Sequence, residues 1–145
     1  MECKGKVSKA GVFIFDDFRD QIIIDRYSSV LESFIGRKQD QMRSKNSEDV
    51  ITWNCFRTLI QVDPVIWISD LFRRSFGEPI RIEDRKDVQV TLGKSIAPPS
   101  GITWREGWSE IDVIVEWPGH VWYIEAKYTS VPFGVCSFDQ YRSEK

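Results

Sequence analysis

Two strand-like runs joined by Pro118-Gly119 constrain this chain more than any other feature of it. Glu110 to Trp117 and His120 to Tyr128 alternate in a period of two, as a strand with one buried face does. Proline and glycine suit the two central positions of a tight turn, with glycine supplying the positive φ. With Pro118 and Gly119 as the loop, Trp117 pairs with His120, and counting back sets Asp112 opposite Glu125. Lys127, two residues past Glu125, shares its face. Ile111, Val113, Val115, Trp122, Ile124 and Ala126 take the other face, which reads as core.

Upstream the apolar period is helical. A short apolar strand or arm at Val12 to Phe15 is followed by a helix over Asp20 to Phe34, with Ile22, Ile23, Tyr27, Val30, Leu31 and Phe34 at helical spacing and Gly36 ending it. Arg37 to Asn46 is polar and reads as a loop or frayed helix. Ser47 caps a second helix, with Glu48 and Asp49 at its positive end and Ile51, Trp53, Phe56, Leu59 and Ile60 turned inward. Cys55 on that helix reads as a small core residue. Asp63-Pro64 opens a third helix, which buries Val65, Ile68, Leu71 and Phe72 and closes at Gly77. Pro79 to Glu83 and Val88 to Leu92 are strand candidates, and Lys94 to Gly101 a loop. Helices followed by a strand meander predict an α+β (mixed α/β) fold, with N-terminal helices packed on a small mixed central β-sheet. Residues 1–46 read as a helical arm and 47–145 as the core.

The chain's 145 residues suit one domain, and 41% hydrophobic with 29% charged residues is a globular composition. Three cysteines at wide spacing and a single histidine, His120, argue against a disulfide framework and a structural zinc site. The apolar patch before Asp16 is too short for a membrane span or signal peptide, which makes the cytoplasm the expected location. Net charge is −2, so a basic footprint for nucleic acid is sought locally, where Arg37, Lys38, Arg43 and Lys45 gather and Arg73 and Arg74 adjoin. Six tryptophans predict a ring-rich core; Trp104, Trp108, Trp117 and Trp122 are also candidates for stacking on bases.

Carboxylates facing each other on neighbouring strands have Cβ atoms roughly 5 Å apart and repel. A divalent cation relieves that repulsion, and so does Lys127 between them; the two answers are compatible. Asp112 and Glu125 holding Mg²⁺ or Mn²⁺, with Lys127 orienting water or stabilising charge on a phosphate, serve phosphodiester hydrolysis. Exposed ion pairs on a surface hairpin are the plainer account of the same three residues.

Asp112, twelve residues, then Glu125-Ala126-Lys127 resembles the Asp…Glu-x-Lys signature of the PD-(D/E)XK nuclease superfamily. The resemblance spans about Ser47 to Arg142. It implies a restriction-endonuclease-like core, with metal held by Asp112, Glu125 and the main-chain carbonyl of Ala126, and with Lys127 handling the water. Glu48 resembles the family's auxiliary glutamate on the preceding helix, although helix-dipole compensation explains it equally well. Gln140 sits where a following helix supplies a glutamine. The family core continues past the point where this chain stops, so the resemblance implies a C-terminally incomplete core. DNA is the implied partner, with no membrane, and a homodimer is compatible with the reading. The implied activity is metal-dependent cleavage of DNA phosphodiesters, endo or exo; the alternative is a catalytically inactive nucleic-acid-binding or assembly module on the same fold.

Overall fold

A computed structural model of the chain describes residues 4–34, 36–82, 87–97 and 109–128. Its elements are β1 (Gly5–Val7), β2 (Phe13–Phe15), α1 (Ser29–Ser33), α2 (Arg37–Met42), α3 (Glu48–Ile60), α4 (Pro64–Phe76), β3 (Gln89–Ile96), β4 (Ser109–Trp117) and β5 (His120–Ile124). A 3-10 turn at Phe18–Gln21 follows β2. The strands form two separate sheets, β1-β2 and β3-β4-β5, and every pairing is antiparallel. The fold is α+β, and the expected mixed sheet is an antiparallel meander among the described residues.

Each long helix begins where a side chain takes over an orphan backbone amide. Ser47 Oγ accepts the Val50 N–H at the start of α3, and Asp63 Oδ1 accepts the Val65 N–H at 3.0 Å before Pro64 opens α4. Gly77, at φ 77°, ends α4 by donating its N–H to Arg73 O at 2.9 Å. α3 buries Val50, Trp53 and Phe56, while α4 buries Trp67 and Ile68. Phe72 then meets Trp117 and Trp122 edge-on, at centroid distances of 6.2 and 5.7 Å. These rings join α4 to the core face of the meander, where Val113, Val115 and Trp117 are buried. Phe18, Ile22, Leu31 and Met42, all from residues 1–46, enter the same core cluster.

The hairpin follows the sequence register. Trp117 pairs with His120, and pairing continues to Val113 with Ile124, so the next positions outward are Asp112 and Glu125. β5 is shorter than expected, because Ile124 is its last residue and Glu125 to Tyr128 leave the ladder.

Several expectations are corrected. The helix foreseen over Asp20 to Phe34 is broken: Asp25 has φ 56°, only Ser29–Ser33 is helical, and Ile23 and Tyr27 are exposed. Asn54 of α3 holds the broken segment, accepting the Ile23 N–H at 2.9 Å and donating to Gln21 O at 2.8 Å. The polar stretch after Gly36 forms α2, whose one buried residue is Met42. Ile51 and Cys55 point outward. Residues 79–82 form no strand, and β3 extends to Ile96 through part of the foreseen loop. No described helix is long and apolar enough to cross a membrane.

Candidate functional site

Asp112 lies on β4, partly buried, where the strand's alternation turns it away from Val113 and Val115. Its Oδ2 accepts the Ala126 N–H at 2.8 Å. This bond reaches across the end of the hairpin and substitutes a carboxylate for a backbone partner. Burial pushes the Asp112 carboxyl above its ordinary range, and the negative charges of Glu125 and Asp49 push the same way; the Ala126 amide and the Lys127 ammonium oppose them. Glu125, just past the end of β5, is near enough for its charge to act on Asp112.

Glu125 and Lys127 are exposed and lie just past the end of β5. Lys127 Nζ donates to Glu125 Oε1 at 2.5 Å. That hydrogen bond is the main reason the Lys127 ammonium is held above its ordinary range, with the charges of Glu125, Asp112 and Glu48 adding to it and burial opposing it. Lys127 pairs with Glu125 rather than bridging it to Asp112.

Glu48 is the first residue of α3, and its Oε1 accepts the Tyr128 N–H at 2.9 Å. It thus ties the start of α3 to the chain just beyond Lys127, a role that dipole compensation alone does not describe. Gln140 lies outside the described residues, as do Trp104 and Trp108. His120 is exposed at the turn, and its ring stacks on Trp117 at 5.0 Å.

Sequence reasoning missed three residues beside this group. Lys38 Nζ lies 2.9 Å from Asp49 Oδ1, also contacts Glu110 Oε1, and sits 4.7 Å from the Phe34 ring centre. Lys38, Asp49, Thr52, Trp53, Gly93 and Asp112 line a small cavity, with Phe34 and Leu92 closing its apolar side. Lys38 and Glu110 are 72 positions apart, so no local pattern could have joined them. Asp49 was visible only as a helix-start carboxylate.

The group sets the carboxylates of Glu48, Asp49, Glu110, Asp112 and Glu125 against the ammonium groups of Lys38 and Lys127. Among the described residues no three His, Cys, Asp or Glu side chains are gathered as a ready ion site. Mg²⁺ needs fewer, since it commonly takes one or two carboxylates and fills its shell with water and phosphate oxygens. The bonds to Ala126 and Lys127 use Asp112 Oδ2 and Glu125 Oε1, one oxygen of each carboxylate. Carboxylate oxygens are the hard donors such an ion takes, and Asp112 on β4 and Glu125 just past β5 supply them at the same end of the hairpin. Comparison with protein-family models, with curated proteins and with solved structures gives no match for this chain.

Proposed function

We propose that the chain is a metal-dependent nuclease that hydrolyses DNA phosphodiester bonds on a restriction-endonuclease-like core. The observation that supports this reading is the pair of bonds at the end of the hairpin, Ala126 N–H to Asp112 and Lys127 to Glu125, which gathers Glu125, Ala126 and Lys127 at the end of the hairpin where Asp112 lies. Asp112 and Glu125 would hold Mg²⁺ or Mn²⁺, and the resemblance adds the Ala126 carbonyl as a third donor. When bound, such an ion polarises a phosphodiester and makes water a better nucleophile.

The chain's own groups do the rest. Lys127, a fixed positive charge beside the pair, is suited to orient water or to stabilise charge developing on a phosphate oxygen. Asp112 fixes the chain entering that region through the Ala126 amide, and Glu48 fixes the chain leaving it through the Tyr128 amide. The backbone of Lys127 is thereby held between two anchored positions, and its ammonium is held by Glu125.

One observation favours the second reading, a non-catalytic nucleic-acid-binding or assembly module: Lys127 is already paired with Glu125. Calorimetric titration of Mn²⁺ into the folded chain and into Asp112→Asn separates the two. Saturable binding that the substitution abolishes, with nicking of plasmid DNA that stops in EDTA, is the result expected. A folded wild type that takes up no Mn²⁺ would sink the hydrolytic reading and leave the binding module.

A further inference from the structure

The N-terminal ribbon is built unlike the rest of the molecule. β1 pairs with β2, and β2 pairs on its other side with residues 43–45, through Ile14 with Ser44, Phe15 N–H to Arg43 O and Lys45 N–H to Phe13 O. Among the described residues, none from 4 to 15 enters the hydrophobic core cluster. Val7 is 65% exposed, and the whole of β1 faces solvent. Burial in the core therefore does not account for the exposed residues of β1.

Its charge is equally distinctive. Residues 4–15 hold Lys4, Lys6 and Lys9 and no carboxylate, and residues 43–45 add Arg43 and Lys45, on a chain whose net charge is −2. Lys4, Lys6, Lys9 and Lys45 are exposed and form no ion pair among the described residues. The register puts Lys6 in one row with Ile14 and Ser44, and Lys45 in the next row with Val7 and Phe13. Neighbouring rows point to opposite faces, so the ribbon carries cations on both. Lysines on a short edge strand also deter edge-to-edge pairing. That role accounts for lysines on the two edges, β1 and residues 43–45, but not for Lys9 in the turn.

A short sheet with positive charge on both faces complements the phosphate backbone of duplex DNA. α2 then links this ribbon to the carboxylate group. Lys38 near its start contacts Asp49 and Glu110, and Arg43 just past its end lies on the ribbon. Six residues of helix span about 9 Å, and Arg37 at its first position is exposed.

We propose that the ribbon of β1, β2 and residues 43–45 docks duplex DNA by its phosphate backbone, from which α2 leads toward the Asp112–Glu125 side. The inference deepens the hydrolytic reading and rests on it for what happens to the DNA afterwards; docking itself is measured without metal. The full chain is titrated onto a short labelled duplex in EDTA, by fluorescence anisotropy, across about 50 to 200 mM salt. Replacing Lys4, Lys6, Lys9 and Lys45 together by Gln should weaken binding about tenfold or more and flatten the salt slope by about 0.9 for each phosphate left without its lysine. The matching Lys→Arg variant should keep the wild-type slope, and circular dichroism should show both variants folded.

The proposal is overturned if the Gln variant binds with the wild-type slope, or if the wild type ignores duplex DNA at the lowest salt. It is also overturned if the wild type binds phosphatidylserine vesicles in preference to DNA. Lysine-dependent binding in EDTA without cleavage in Mg²⁺ would remove the hydrolytic reading and support the docking ribbon.

Discussion

Replacing Gly93 by alanine tests how the fold holds its candidate site. Gly93 lies between the Leu92–Val113 and Lys94–Ile111 pairs, so the register sets it beside Asp112. It has φ 61°, and an added Cβ would stand 2.6 Å from Cζ and 2.8 Å from Cε1 of Phe34. The left-handed backbone costs a non-glycine residue about 1–2 kcal/mol. Carbon atoms rest about 3.5–4.0 Å apart, so the ring must retreat by about 1 Å, and overpacking of this kind costs about 1–3 kcal/mol. The sum is about 2–5 kcal/mol out of a total stability of about 5–15. Gly119 supplies the control, with φ 77° and no atom within 4 Å of its added Cβ. Gly119→Ala should therefore lose the backbone contribution alone, about 1–2 kcal/mol. Urea unfolding at unchanged m reads both losses. Phe34→Ala should remove most of the extra loss at Gly93 in a double-mutant cycle. Equal losses at the two glycines would refute the steric argument and detach Phe34, and the Lys38 that rests on it, from the site's architecture.

Three further outcomes are expected. Because Asp112's folded pKa is raised, the folded state holds its proton more tightly than the unfolded chain, and stability falls as pH rises from the ordinary value of 3.8 through the folded one; Asp112→Asn, which keeps an acceptor for Ala126, should flatten that fall and be the more stable form above it by urea unfolding. Lys38→Met leaves Asp49 and Glu110 repelling one another, so it should destabilise by about 1 kcal/mol at low salt and by less at 1 M salt, measured as the change in urea midpoint. Met42→Ala empties a fully buried position at the end of α2 and should cost about 2–5 kcal/mol by the same assay.

The part of the site set by local pattern was legible in the sequence. A Pro-Gly turn and a period of two gave the register from Trp117–His120 to Val113–Ile124, with Asp112 and Glu125 as the next positions outward, because in a two-residue hairpin the turn determines the later pairs. The end of β5 was not legible. The amides of Ala126 and Tyr128 go to Asp112 and Glu48, so the ladder stops where side chains become better placed acceptors. The broken helix before Phe34 failed for a related reason. Asn54 and Trp53 of α3 bind the backbone at Gln21, Ile23 and Ile24, and these tertiary bonds outweigh the local period. Met42 buries α2 by one side chain rather than by a stripe, which leaves no periodic trace.

The bonds that finish the site also have a place in time. The hairpin closes over two residues, and such closures are fast, on the order of 1–10 μs. The Glu48–Tyr128 bond spans 80 positions and the Lys38–Glu110 pair 72, so both wait on long loop closures that the sheet and helices must first shorten. Exposed chain with few buried contacts opens at lower free energy than core strands do. In hydrogen exchange the Tyr128 amide should lose protection before the hairpin amides of Val113 and Val115, so that the carboxylate group can come apart and re-form while the rest of the domain stays folded.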